Sequence, residues 1–242
     1  MMRVESQAAP ATGKNVWAEL RDGFAYAAGF APIRSILLLL MAMSVFGVPY
    51  SVLFPVFASE VLHGGAHTLG FLTGASGLGA LISAISLAMR RSVVGLGRVI
   101  AVTSFIFGCG LVAFGFSQSF WLSFALIMLT GFAMMQTMSS CNTILQTIVA
   151  EDKRGRIMSL YTMAIIGMMP FGSLGAGIAA SRIGAPYTVM VGGVVCVAVA
   201  TWFVTRLGAL RRIIHPIYEE LGILPVSSPD VEAGVVLRGP QD

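Results

Sequence analysis

The sequence predicts an all-α membrane protein, a bundle of six transmembrane helices, and three observations carry that prediction. Hydrophobic residues make up 56% of the 242-residue chain and charged residues only 11%, against about 25% charged in a soluble domain. The few charges are clustered, which leaves uncharged runs at Ser35 to Ser59, Val61 to Met89, Val99 to Ala150, Ile157 to Ser181 and Ile183 to Thr205. The basic residues between the runs are also distributed with a strong bias. Such a composition excludes an ordinary soluble enzyme.

Each run is long enough to cross a bilayer. A hydrocarbon core of about 30 Å takes about 20 helical residues, and a charge at its centre costs roughly 2.5 to 3.5 kcal/mol. At about 1.5 Å per residue the run from Val99 to Ala150 would reach roughly 78 Å, more than twice the core, so the polar break at Ser117, Gln118 and Ser119 divides it in two. The six predicted spans are Ile36 to Phe57, Leu69 to Met89, Val99 to Phe116, Phe120 to Val149, Met158 to Ala180 and Tyr187 to Thr205. An even number places both termini on one side. Fourteen of the 15 Lys and Arg then share that side and only Arg182 lies on the other. The positive-inside rule makes it the cytoplasmic side of the cell (inner) membrane, and the net charge of +4 follows from topology without invoking nucleic acid.

Ahead of the first span, residues 1–32 read as a cytoplasmic segment without a cleavable signal peptide. Within it Val16, Trp17, Leu20, Phe24 and Ala27 recur at helical spacing, as in a helix lying along the membrane surface. Residues 33–206 form the six-span core. Residues 207–242 read as a cytoplasmic tail, with a second surface segment at Leu210 to Leu221 and a disordered stretch marked by Pro225, Ser227, Ser228, Pro229 and Gly234.

Span one carries Pro49 and Pro55, which remove backbone donors and predict bends, with Tyr50 and Ser51 beside the first. Spans two and five are rich in glycine: Gly70, Gly74, Gly77 and Gly79 in one, Gly167, Gly172, Gly175 and Gly177 in the other, where Pro170 also lies. Small residues at such spacing let helices approach closely, which makes them packing positions first, and matched interruptions also suit a moving helix. Span four is the least oily. Its Gln136, Ser139, Ser140, Thr143, Gln146 and Thr147 fall within about 120° of one another, with Asn142 at the margin. Unpaired polar groups cost several kcal/mol in hydrocarbon, so this stripe is expected to meet a cavity or another helix. Tyr50, Gln136, Ser139, Ser140, Thr143 and Gln146 are the candidate substrate-cavity residues; for Gln146, near the predicted cytoplasmic end, interfacial hydration is an equal explanation.

The loop between spans four and five reads Glu151, Asp152, Lys153, Arg154, Gly155, Arg156. Taken with Trp17 to Arg21, Pro49 to Pro55, and Arg90, Arg91, Gly95, Gly97 and Arg98, it resembles the carboxy-terminal half of a major facilitator superfamily transporter, in the branch of enterobactin-exporter-like efflux proteins. The resemblance covers about residues 15 to 206. It implies 3+3 helix repeats and helices seven to twelve of a twelve-helix transporter. It further implies a cavity between two halves, lined here by spans one and four, and alternating access. The loop after span two departs from the fuller superfamily motif in lacking its acidic residue. Arg90, Arg91, Arg98, Asp152, Arg154 and Arg156 are candidate gate residues, because arginines at helix ends pair with carboxylates and carbonyls and hold one access state together. Basic residues marking topology explain the same pattern.

Other chemistry is poorly provided for. No acidic residue lies inside a predicted span, no glycine-rich phosphate loop is present, and Cys109, Cys141 and Cys196 have no metal-binding spacing, so no cofactor or metal is expected. His63 and His67 alone are too few for a metal site. Gly74 to Gly77 form a G-x-S-G pattern, yet no histidine lies in a span to serve Ser76 as a base. The expected partners are the lipid bilayer, a small-molecule substrate, and an amino-terminal half or a second copy of the chain. The expected function is efflux of a drug or siderophore by a half-length secondary transporter; the alternative is a membrane remnant or interaction protein that transports nothing.

Overall fold

The computed structural model of the chain describes residues 16–90 and 93–220. Among these every element is helical. A short helix α1 (Val16–Gly29) precedes six helices long and apolar enough to span a membrane: α2 (Ala31–Val61), α3 (Ala66–Ala88), α4 (Leu96–Phe116), α5 (Phe120–Ile148), α6 (Glu151–Ile183) and α7 (Ala185–Glu220). They match the six predicted spans. The break at Ser117 to Ser119 is present, and side chains tie it locally: the Ser123 hydroxyl donates to the Ser117 hydroxyl at 2.9 Å. Between α6 and α7 the turn is a single residue, Gly184, whose φ of 87° is open to glycine at little cost.

The two surface segments depart from expectation. The predicted helix at Leu210 to Leu221 is not separate but continues α7 to Glu220, since Gly208, the residue that interrupts the pattern, costs a helix only about 1 kcal/mol; Leu221 and the predicted disordered stretch lie outside the described residues. α1 docks on the first turns of α6. Lys153 Nζ sits 4.4 Å from the centre of the Tyr26 ring, and Gly23 faces Arg156 and Leu160. Of its predicted apolar face Ala27 is buried and Phe24 exposed; the side chains of Val16, Trp17 and Leu20 lie outside those described.

The core gathers where α2, α4 and α7 meet. Phe57 stacks on Phe114 with ring centres 4.3 Å apart, and Tyr50 meets Phe54 and Phe107 edge-on at 5.2 and 6.2 Å. Lipid tails are as apolar as these rings, so close packing and hydrogen bonds rather than escape from water hold such helices together. Gly108 of α4 and Gly193 of α7 illustrate this, since a Cβ on either would stand within 2.9 Å of the other's carbonyl oxygen.

Two helices lose α-helical winding. α2 widens to a π turn at Met43–Gly47 and tightens to a 3-10 segment at Val48–Leu53, around the donorless Pro49. α6 has its own π turn at Met163–Gly167, just before Pro170. The breaks meet: the Ser44 hydroxyl on α2 donates to the Ile165 carbonyl on α6 at 2.5 Å.

Candidate functional site

Polar groups on α5 divide among three neighbours. Gln136 is buried against α3, where its Oε1 accepts a hydrogen bond from the Ser83 hydroxyl at 2.8 Å. Thr137 faces α4 and shares a hydroxyl contact of 2.7 Å with Thr103. The third direction opens on a cleft of about 450 Å³ between α5 and α6, closed at one side by Leu87 of α3. Its polar wall is Ser139, Asn142, Thr143, Tyr161 and Thr162. Its apolar wall is Met135, Met138, Ile165 and Ile166.

Local helix chemistry fixes these groups. The Thr143 hydroxyl donates back to the Ser139 carbonyl at 2.9 Å, and the Thr162 hydroxyl to the Met158 carbonyl at 3.0 Å, the ordinary way for a helical threonine to satisfy its proton. Tyr161 reaches across from α6 and donates to the Met138 carbonyl at 3.1 Å, beside the Asn142 side chain. The Asn142 oxygen accepts from the Gln146 amide. The π turn of α6 lies on the wall of the cleft through Ile165 and Ile166.

Of the residues singled out for a cavity, the structure brings Ser139 and Thr143 into the cleft. Gln146 is exposed and reaches it through Asn142, while Gln136 is at a helix contact. Ser140 is buried, and its hydroxyl has no hydrogen-bond partner among the described residues. Tyr50 is turned into the bundle, 3.1 Å from the Ser76 hydroxyl, so α2 contributes nothing to the cleft wall and Ser76 pairs with a tyrosine rather than a histidine. Asn142, at the margin of the predicted stripe, is on the cleft wall, and so are Tyr161 and Thr162, which the sequence did not single out. Asn142 lies 120° from Gln136 at about 100° per residue, so a stripe centred on Gln136 leaves it at the edge. Tyr161 and Thr162 stand one helical turn beyond the basic loop, where polar residues read as interfacial.

The candidate gate residues do not form one cluster. Arg90 donates to the Val94 carbonyl at 3.2 Å, within its own loop, and Arg98 is exposed at the start of α4. Arg154 lies 3.9 Å from Glu151, one turn back on the same helix, and Asp152 is exposed. Arg156, with Lys153, lines a crevice of about 320 Å³ beneath Tyr26 and Gly23 of α1. Arg91 lies outside the described residues.

Comparison with known proteins agrees with this architecture. The family described as transmembrane secretion effector, a branch of the major facilitator superfamily, matches residues 1–213. The chain is also similar to a staphyloferrin A transporter of Staphylococcus aureus (strain NCTC 8325 / PS 47), with 27% identity over 171 residues, 70% of this chain and 42% of that protein. The chain therefore spans less than half the length of this curated relative. No solved structure matches.

Proposed function

Because the chain belongs to the transmembrane secretion effector family of major facilitator transporters, we propose that it is the carboxy-terminal six-helix half of a secondary transporter that moves a small organic solute, a drug or siderophore, out of the cell. The family is one of transporters and not of enzymes. The observation that carries the reading is the cleft between α5 and α6: five uncharged hydrogen-bonding side chains line it, between two helices long and apolar enough to span a membrane. Polar groups gathered between two apolar helices favour a ligand path over lipid contact. The similarity to a staphyloferrin A transporter favours a siderophore as the solute.

Transport by alternating access takes a partner, an amino-terminal six-helix half or a second copy, and the faces of α3 and α6 support one. Gly70, Gly74 and Gly77 on α3, with Gly175 and Gly177 on α6, have nothing within 4 Å of where a Cβ would stand. Small residues left open toward hydrocarbon suit the close approach of further helices. Both termini lie on the cytoplasmic side in this reading, as the basic loops require. The test is retention of a labelled siderophore or drug in cells expressing the chain together with an amino-terminal six-span half of the same family. Lower retention than with either half alone is expected; equal retention favours a membrane protein that transports nothing.

A further inference from the structure

From the chemistry of the cleft wall we infer that its ligand is uncharged where it is held and presents hydrogen-bond donors, as a polyol or a primary amide does, on an apolar body. The inference rests on the cleft being the solute site. The hydroxyl protons of Thr143, Thr162 and Tyr161 are already given to the carbonyls of Ser139, Met158 and Met138, at 2.9, 3.0 and 3.1 Å. A hydroxyl has one proton and two lone pairs, so what these three oxygens have left to offer is acceptance. Two donors stand beside them: the side-chain amide of Asn142, whose oxygen is engaged by Gln146 and which also bonds to Tyr161, and the hydroxyl of Ser139. A ligand that satisfies this wall brings O–H or N–H groups to its three acceptor oxygens, with acceptors for Asn142 and Ser139.

Charged ligands fit it worse. A carboxylate only accepts, so it would set its lone pairs against three acceptor oxygens with one amide, one hydroxyl and no cation on the wall to hold it. An ammonium could donate, but it would be desolvated with no carboxylate on the wall. The nearby cations are directed elsewhere: Lys153 and Arg156 line the crevice under α1, and Arg154 is beside Glu151. Met135, Met138, Ile166 and Leu87 then hold the apolar body, and the flexible methionines fit varied shapes.

The test uses the purified chain in lipid nanodiscs and four photoactivatable probes that share one diazirine-bearing alkyl tail. Their head groups are a 1,2-diol, its dimethyl ether, a carboxylate and a quaternary ammonium. Adducts are mapped by peptide mass spectrometry. The diol is expected to label residues 135–143 and 158–166 about three- to ten-fold more than the ether, the worth of one or two hydrogen bonds. Thr143→Val and Thr162→Val, which keep shape and remove the acceptor oxygen, should bring the diol down to the ether's level. Equal labelling by diol and ether in the unaltered chain overturns the donor requirement, and stronger labelling by the carboxylate or the ammonium overturns the uncharged class; both leave the site in place. Labelling by every probe that spares these segments overturns the site itself.

Discussion

At the crossing of α4 and α7, Gly108 and Gly193 bring two backbones so near that any side chain would collide; along α3, Gly70, Gly74 and Gly77 meet nothing. Burial follows the same division. In the most apolar 18-residue stretch of α4, 56% is buried, and in that of α6 only 11%. The closed side of the bundle fixes the fold, whereas α3 and α6 offer surface to something outside the described chain. Glycine content alone does not separate these roles, because the same residue type serves both.

Gly193→Leu should have the largest effect. It places a branched side chain against the Gly108 carbonyl and Val112, and overpacking of this kind costs about 1 to 3 kcal/mol, read as lost monodisperse protein on size-exclusion chromatography in detergent. Gly74→Leu should leave that profile within about 0.5 kcal/mol of the original stability, while weakening copurification with the partner half. Equal damage from both substitutions would break the distinction between closed and open faces.

A second contrast lies within α5, between its cleft face and its α3 face. Asn142→Leu is expected to lower transport about ten-fold, the effect of roughly 1.4 kcal/mol, with the yield of folded chain unchanged. Ser83→Ala, on the other face, leaves the buried Gln136 amide without its partner. It should lower thermal stability by about 0.6 to 1.7 kcal/mol, the range for hydrogen bonds between membrane helices, and Gln136→Leu in the same chain should restore most of that, because an apolar pair leaves no unpaired group. A local effect is expected of Lys153→Met, which removes the charge over Tyr26. A loss of about 0.5 to 1 kcal/mol should appear as faster proteolysis within α1 and no change in the melting of the bundle.

The bundle itself was legible from the sequence because uncharged length and the cost of intramembrane charge are nearly local properties. The Ser117 to Ser119 break shows this, standing between α4 and α5 as placed. The loss of α-helical winding around Pro49 follows a residue flagged in the sequence, since a missing donor acts on its own helix; the π turn of α6, whose Ile165 carbonyl is held by Ser44 from another helix, was not legible. The site was legible only in part. The polar stripe of α5 marks residues that avoid lipid but does not say which neighbour each meets, so it merged Gln136, bound to Ser83, with Ser139 and Thr143 in the cleft. Tyr161 enters through α6, and no periodicity of α5 points to it.

The central claim is that α5 turns its Asn142 face, and not its Gln136 face, toward an aqueous solute path. Single cysteines at the two positions, in a chain whose Cys109, Cys141 and Cys196 are replaced by alanine, test it when treated in native membranes with a water-soluble methanethiosulfonate. The account predicts rapid modification at Asn142→Cys and little at Gln136→Cys; modification at Gln136→Cys that matches or exceeds it, or none at either position, would contradict the account.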